Sequence, residues 1–454
     1  MKKIRVIGGG LAGPEAALQA AAFGCDVTLY EMRPHRSTEA HQTADFAELV
    51  CSNSLKSESE NTAPWLLKQE MRRANCALLA EADASAVPAG HALAVDRVEF
   101  SCRVAERIES EPRITVVRQE ITSLEADDNT LTILATGPLT SPALASGLQR
   151  LTGSTHLAFY DSISPIVDAS TIDMSRVYMA ARYDKGTADY INCPMTKGEY
   201  DRFYDALVSA ETVPAKEWEQ IPSDAVSAQQ PKYFEGCLPI EETARRGRDT
   251  LRFGPMKPAG LTDPRTGRWP YAVVQLRQEN LRADSYNLVG FQNHIKFGEQ
   301  ARVLRLIPGL ENAAFLRYGQ IHRNTYINAP ALLTETLQLR AQPFILIAGQ
   351  LSGVEGYTES IASGLLAGRY AASLARGIAP TPAPRGSANG SLIHYITHAE
   401  SKRFQPANIT FDLLLPLEEE LRRKIRDKKE RHRIQCERAI TAWNDWLQAG
   451  QATH

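Results

Sequence analysis

Two kinds of periodicity alternate along the chain. An apolar run at Ile4–Ile7 breaks into glycines and continues as an alanine-rich stretch, 14–23, with helical spacing. A second short apolar run, 26–31, follows. The pattern predicts a strand, a helix packed on it and a second strand, a β-α-β unit. The run "LTILATGP", 131–138, predicts a further strand ending in a turn. The stretch "PFILIAGQLSGVEGYTESIASGLLAG", 343–368, predicts a strand, a glycine-rich turn and a small-residue helix starting near Tyr357. Between them, residues 161–330 hold the strand-like runs "VYMAARYD", "ADYINCP", "YAVVQLRQ" and "NLVGFQ" and the helical "MTKGEYDRFYDALVSA". A mixed, β-rich inserted domain is expected there, flanked by a first part (1–160) and a second part (331–454) of one α/β domain. The Pro, Gly and Ser content of "IAPTPAPRGSANGS", 378–391, predicts a linker or surface loop. Residues 417–447 read as one helix, with Leu417, Leu421 and Ile425 and then Ile440, Trp443 and Leu447 on its apolar face.

The glycines of the first turn are spaced G-x-G-x-x-G at Gly8, Gly10 and Gly13, between strand and helix, with Glu31 closing the second strand. In that context the first glycine permits the turn and the second lets a pyrophosphate approach the backbone. The third lets helix and strand pack closely, and the acid is placed for a ribose. Gly8, Gly9, Gly10, Leu11, Ala12, Gly13, Glu31 and Arg33 are therefore candidate dinucleotide ligands. The later stretch resembles the segment with which glutathione-reductase-type flavoproteins finish their FAD site, which adds Gly349, Gly353, Gly356 and Tyr357. The fold expected is a glutathione-reductase-like FAD-binding Rossmann domain carrying a large mixed α/β insertion. A helix starting at Tyr357 would aim its positive end at the flavin.

Composition narrows the class. With 454 residues, 43% hydrophobic and 23% charged, the chain has room for two or three globular domains. A net charge of −2 gives no global attraction to polyanions, so any RNA contact must be a local patch. The basic crowding over 422–433 is one such patch, although Glu418, Glu419 and Glu420 each have a basic residue four places on. No apolar run is long enough to span a membrane. The cysteines are odd in number, seven, widely spaced and without C-x-x-C. That pattern argues against a disulfide framework, a zinc site and a dithiol redox pair, and suits a reducing, cytoplasmic setting. Cys51 is conspicuous: it sits in the polar "FAELVCSNSL", whose Ser-Asn-Ser favours turns.

The motifs "VIGGGLAGPEAA", "LYEMRP", "FAELVCSNSL", "VPAGHALAVDR", "YINCPM", "FEGCLPIEE", "FGPMKPAGL", "VQLRQEN", "HRNTYINAP" and "GVEGYTES" occur in that order. Together they resemble the folate/FAD-dependent tRNA (uracil-5-)-methyltransferases over almost the whole chain. The resemblance sets the chain apart from a longer paralogue that modifies wobble uridine and has an additional C-terminal domain. It implies methylation of a T-loop uridine, with methylenetetrahydrofolate as carbon donor, reduced FAD as carrier and reductant, and NADH or NADPH regenerating the flavin. It also implies two reactive cysteines: Cys237 as the nucleophile adding to uracil C6, and Cys51 nearer the flavin, either handling the flavin-bound one-carbon unit or removing the C5 proton. A thiolate at C6 makes an enolate whose C5 is nucleophilic. His322 is the candidate for stacking on the pterin. Lys257 and Arg277 are candidates for the folate glutamate or tRNA phosphates, or equally for internal ion pairs. Arg97 is a candidate for the flavin or for the domain interface. Cys25, Cys76, Cys102, Cys193 and Cys436 are expected to be structural, and no metal is expected. An rRNA methyltransferase, a generic flavin oxidoreductase and a non-catalytic RNA-binding scaffold are the alternatives.

Overall fold

The computed structural model describes residues 1–38, 40–124, 129–153, 157–162, 164–184, 187–213, 238–319 and 321–452. Its first layer is a parallel five-stranded sheet in the order Ile345–Ile347, Thr130–Leu134, Lys3–Ile7, Val27–Glu31, Ile114–Arg118. The first strand is central because Ile4, Val6 and Ile7 are apolar toward both faces and are all buried. Helix Ala12–Ala22 crosses to Val27–Glu31, completing the β-α-β unit. Helix Tyr357–Ala375 packs beside Ala12–Ala22. One hydrophobic core spans both chain segments of this layer, from Ile4 to Leu148 and again from Tyr326 to Leu447.

A second core runs from Val167 to Ala313. It covers one face of an antiparallel sheet ordered Tyr178–Met179, Tyr190–Met195, Ala272–Gln278, Ser285–Leu288, Ile166–Asp168, Phe315–Arg317. Helix Lys197–Val208 closes this core with Tyr200, Phe203 and Leu207 buried at helical spacing, started by a capping box between Thr196 and Glu199. The two cores are joined by a ribbon in which Leu157–Ser162 pairs antiparallel with Ile321–Tyr326.

Three local expectations are corrected. The "VYMAARYD" run is a strand only at Tyr178–Met179, because the chain then turns through left-handed Tyr183 and Asp184. The expected loop 378–391 ends as a buried helix, Ala388–His398. Its start is fixed by the buried Glu70 carboxylate, which accepts from the Ala388 and Asn389 amides at 2.7 and 2.9 Å. The helix expected over 417–447 is two, Glu419–Lys424 and Lys428–Ala452. Asp427 breaks it by accepting from the Lys429 amide at 3.1 Å, as an N-terminal cap does.

Candidate active site

The chain leaves the central strand at Ile7 and turns at Gly8, whose φ is +115°. A Cβ at Gly8 would lie 2.4 Å from the Ala135 carbonyl oxygen, and one at Gly13 would lie 1.8 Å from the Gly8 carbonyl oxygen. Both positions are closed to side chains by the packing of turn on helix and strand. Gly10 differs. A Cβ there would meet no protein atom within 4 Å, so its backbone faces open space.

That space is an open cleft. Gly8, Gly9, Gly10, Leu11, Ala12, Glu31, Arg33, Gly349 and Tyr357 line it. Gly13, Gly353 and Gly356 stand behind its wall: Gly353 backs onto Phe404, and Gly356 precedes the helix that Tyr357 begins. Helices Ala12–Ala22 and Tyr357–Ala375 run parallel, since Gly364 lies against Ala12 and Gly368 against Ala16. Their positive ends therefore open on the same cleft. Neither first turn is capped by a side chain, which leaves its amides available to an anion.

Glu31 sits at the end of its strand, 5% exposed. Its Oε2 accepts from the Gly9 amide at 2.7 Å, and its Oε1 accepts from the Arg33 amide and Nε at 2.9 and 2.8 Å. Arg33 also donates to Glu48 at 3.0 Å. Burial pushes the Glu31 carboxyl upward, but the Arg33 guanidinium and the two amides outweigh it and hold the group below the ordinary carboxylate range. An ionised acid with lone pairs to spare, a bare glycine backbone and two uncapped helix ends in one cleft fit an adenine dinucleotide such as FAD.

Cys51 is half-buried beside this cleft, next to the lining residue Val50. Its amide donates to the Tyr357 hydroxyl at 2.7 Å, and the Ser52 amide donates to the same oxygen at 3.2 Å. Desolvation, and next the neighbouring Cys51, push the Tyr357 phenol well above its ordinary range, so the hydroxyl stays neutral. Two guanidiniums attend the thiol. Arg97 donates to the Cys51 carbonyl at 3.4 Å and to the Leu49 carbonyl at 2.5 Å, and it pairs with Glu279 at 2.5 Å. Arg317 donates to the Ala40 carbonyl at 3.2 Å and lies within electrostatic reach of Cys51, Tyr357 and Arg97.

The Ser-Asn-Ser after Cys51 is more than a turn. Asn53 is fully buried, and its Nδ2 donates to the Val95 and Gln278 carbonyls at 3.0 and 2.9 Å. Its Oδ1 accepts from Arg277 Nε at 3.0 Å and from Asn287 at 3.4 Å. Arg277 is 8% exposed and ties the second sheet to the Cys51 loop through Asn53. Arg97 likewise bridges the two cores. Lys257 is exposed, next to Arg182, which donates to its carbonyl at 3.1 Å. His322 is described only in its backbone, paired with Asp161 in the ribbon. Cys237 lies outside the described residues, and the chain resumes at Leu238 just before helix Ile240–Arg245. Cys25, Cys76, Cys193 and Cys436 are buried thiols pushed upward by that burial, Cys436 to about 12. Cys102 is exposed. Sequence reading missed Glu279, Asn53, Asn287 and Arg317, none of which has a local signature.

Residues 3–379 match the family described as glucose inhibited division protein A. The chain is 68% identical over 449 residues to the methylenetetrahydrofolate--tRNA-(uracil-5-)-methyltransferase TrmFO of Koribacter versatilis, with 99% of each chain covered. It is 62% identical to the TrmFO of Solibacter usitatus, again with 99% of each covered, and 53% identical to that of Enterococcus faecalis, with 97% of each covered. Among solved structures, GidA of Aquifex aeolicus superposes with a TM-score of 0.68 at 15% identity, covering 98% of this chain and 74% of that one. That likeness shows the fold.

Proposed function

The chain belongs to the glucose inhibited division protein A family and, within it, to the methylenetetrahydrofolate--tRNA-(uracil-5-)-methyltransferases, and on that premise we propose that it forms 5-methyluridine in the T-loop of tRNA. One arrangement carries the reading: the Tyr357 hydroxyl holds the Cys51 amide at the point where the second uncapped helix meets the dinucleotide cleft.

The amides of the Gly10–Ala12 turn would hold the pyrophosphate of FAD, and Glu31 its ribose. When bound and reduced, the flavin carries the one-carbon unit from methylenetetrahydrofolate and supplies the hydride, with NADH or NADPH restoring it. Every other task falls to the chain. The Tyr357 hydroxyl keeps the Cys51 backbone from drifting by holding two successive amides. Arg97 and Arg317 favour a thiolate at Cys51, as cations do beside reactive cysteines. In that state Sγ of Cys51 would take the proton from uracil C5 after that carbon, made nucleophilic by addition of Cys237 at C6, has bonded to the one-carbon unit, and Cys237 would leave C6 as hydride completes the methyl group. Buried Asn53 and the Arg97–Glu279 pair hold the two cores in register around the pyrimidine. The exposed Lys257 side chain is suited to the folate glutamate or a T-arm phosphate, and His322 to the pterin.

The test is methyl transfer from carbon-labelled methylenetetrahydrofolate with NADPH and an unmodified tRNA transcript. Label should appear in 5-methyluridine of the T-loop and should not depend on S-adenosylmethionine. Label in an rRNA fragment but not in tRNA would replace the substrate, and NADPH oxidation without any label would leave a plain flavin oxidoreductase. A tRNA carrying 5-fluorouridine should form a covalent adduct that Cys237→Ala cannot form. An adduct surviving in that variant moves the nucleophile to another residue.

A further inference from the structure

Helix Ala388–His398 buries Leu392, Ile393, Ile396 and Thr397. His394 and His398 lie one turn apart on its other side, so their imidazoles project together. The rings stack with centroids 4.1 Å apart and planes 18° from parallel. Glu335 reaches them from the loop closed by the Leu333–Leu339 bridge. Its Oε1 lies 3.1 Å from His394 Nδ1 and 3.7 Å from His398 Nδ1. Donor atoms of all three residues fall within 4.8 Å of one another.

Two imidazoles and a carboxylate whose donor atoms lie within 4.8 Å of one another are a donor set that suits the borderline divalent transition metals, with a rotation of one ring about its side-chain bonds bringing both lone pairs onto the ion. A tetrahedral centre with bonds of about 2.0–2.1 Å sets its ligand atoms roughly 3.3 Å apart. The two measured separations bracket that edge. We propose that Glu335, His394 and His398 form a binding site for a divalent transition-metal ion such as zinc, with the remaining coordination positions open to water. The cysteine spacing argues against a thiolate site, and this one uses no sulfur.

Both supports of the site are rigid. Glu70 and the Ser387 hydroxyl cap the helix, the latter accepting from the Gly390 amide at 2.9 Å. On the other side, the Leu339 amide donates to the Ile345 carbonyl at 2.8 Å and the Ile347 amide to the Leu337 carbonyl at 2.9 Å. The Glu335 loop is thus bonded to the sheet strand that leads straight to Gly349 and the cleft. Among the described residues, the ion-pair partners of the Glu335 carboxylate are these two histidines. Without metal, an N–H at His398 Nδ1 has acceptors in Thr397 Oγ1 and the His394 carbonyl, at 3.0 and 3.2 Å. The ion takes the lone pair that replaces this proton. Binding would clamp helix to loop and stabilise the second half of the dinucleotide domain.

The full-length flavoprotein, stripped with a chelator, is titrated with zinc chloride by calorimetry and melted with and without the ion. One equivalent should bind saturably and raise Tm. The double variant His394→Ala/His398→Ala, and Glu335→Gln alone, should each weaken zinc by at least about tenfold and lose the Tm gain. Their flavin absorbance and metal-free methyl transfer should match the parent. Cobalt(II) should give a spectrum without the charge-transfer band of thiolate ligands, which separates this site from capture by cysteines. Unchanged zinc affinity in these variants, no saturable binding, or a cobalt–thiolate band overturns the proposal. Should the double variant misfold, His398→Asn keeps the helix and reads the same loss.

Discussion

The hydroxyl of Tyr357 accepts from the amides of Cys51 and Ser52, two successive residues of the Cys51 loop. Tyr357→Phe keeps the ring in the cleft wall and removes the acceptor that both amides share. Losing hydrogen bonds of this kind costs about 0.5–1.5 kcal/mol each, so Tm should fall while FAD still binds, and methyl transfer should drop roughly tenfold as the thiol loses its place. Equal activity in Tyr357→Phe would mean that the hydroxyl does not position Cys51. Cys51→Ala should retain the flavin spectrum and lose at least about a hundredfold in rate, the scale of a missing general base. A lone thiol in a polar stretch was visible in the sequence, because Ser52, Asn53 and Ser54 forbid a plain apolar setting. What surrounds it was not. Tyr357 is 306 positions away, and Asn53 looks like a turn former until its amide is seen bonding across to Gln278. Local pattern reports what a backbone prefers, and these bonds depend on which distant segments meet.

At the scale of elements, Glu70 ties three helices together. Its carboxylate takes the amides of Ala388 and Asn389 and the Asn389 side chain, and its carbonyl accepts from the Trp443 indole at 2.7 Å. Burial raises the carboxyl to about 7 despite those donors. A carboxyl held above its unfolded value near 4.5 binds its proton more tightly in the native state. The stability this adds is complete below pH ~4.5 and is lost as pH rises to about 7, on the order of 3 kcal/mol. Thermal melts from pH 5 to 7.5 should show that decline, and Glu70→Gln should flatten it. A parallel decline in the variant would place the titration on another group. The same carboxylate explains why the 378–391 reading failed in its second half. Ser387, Asn389, Gly390 and Ser391 have loop composition, yet a buried acid at the right place makes them the first turn of a helix. The β-α-β unit, by contrast, was fully legible, because its strand, glycines, helix and acid lie within one short stretch and obey purely local constraints.

Across the whole molecule, two cores meet at Arg97–Glu279 and Asn53–Arg277. Glu279 is 5% exposed, so Glu279→Ala leaves the Arg97 guanidinium without its charge partner, at a cost of about 3–5 kcal/mol. Calorimetry on this variant should split one melting transition into two while the flavin remains bound. A single transition of unchanged midpoint would show that the pair does not couple the cores. The ribbon of Leu157–Ser162 on Ile321–Tyr326 has a different consequence. It brings both chain crossings of the insertion side by side, so a short hairpin could stand in for everything between them without disturbing the parallel sheet. Such a layout behaves as a graft. A lineage could exchange what the nucleotide-binding trunk carries, and with it the molecule acted upon, by altering one covalent junction and the Arg97 and Asn53 contacts beside it.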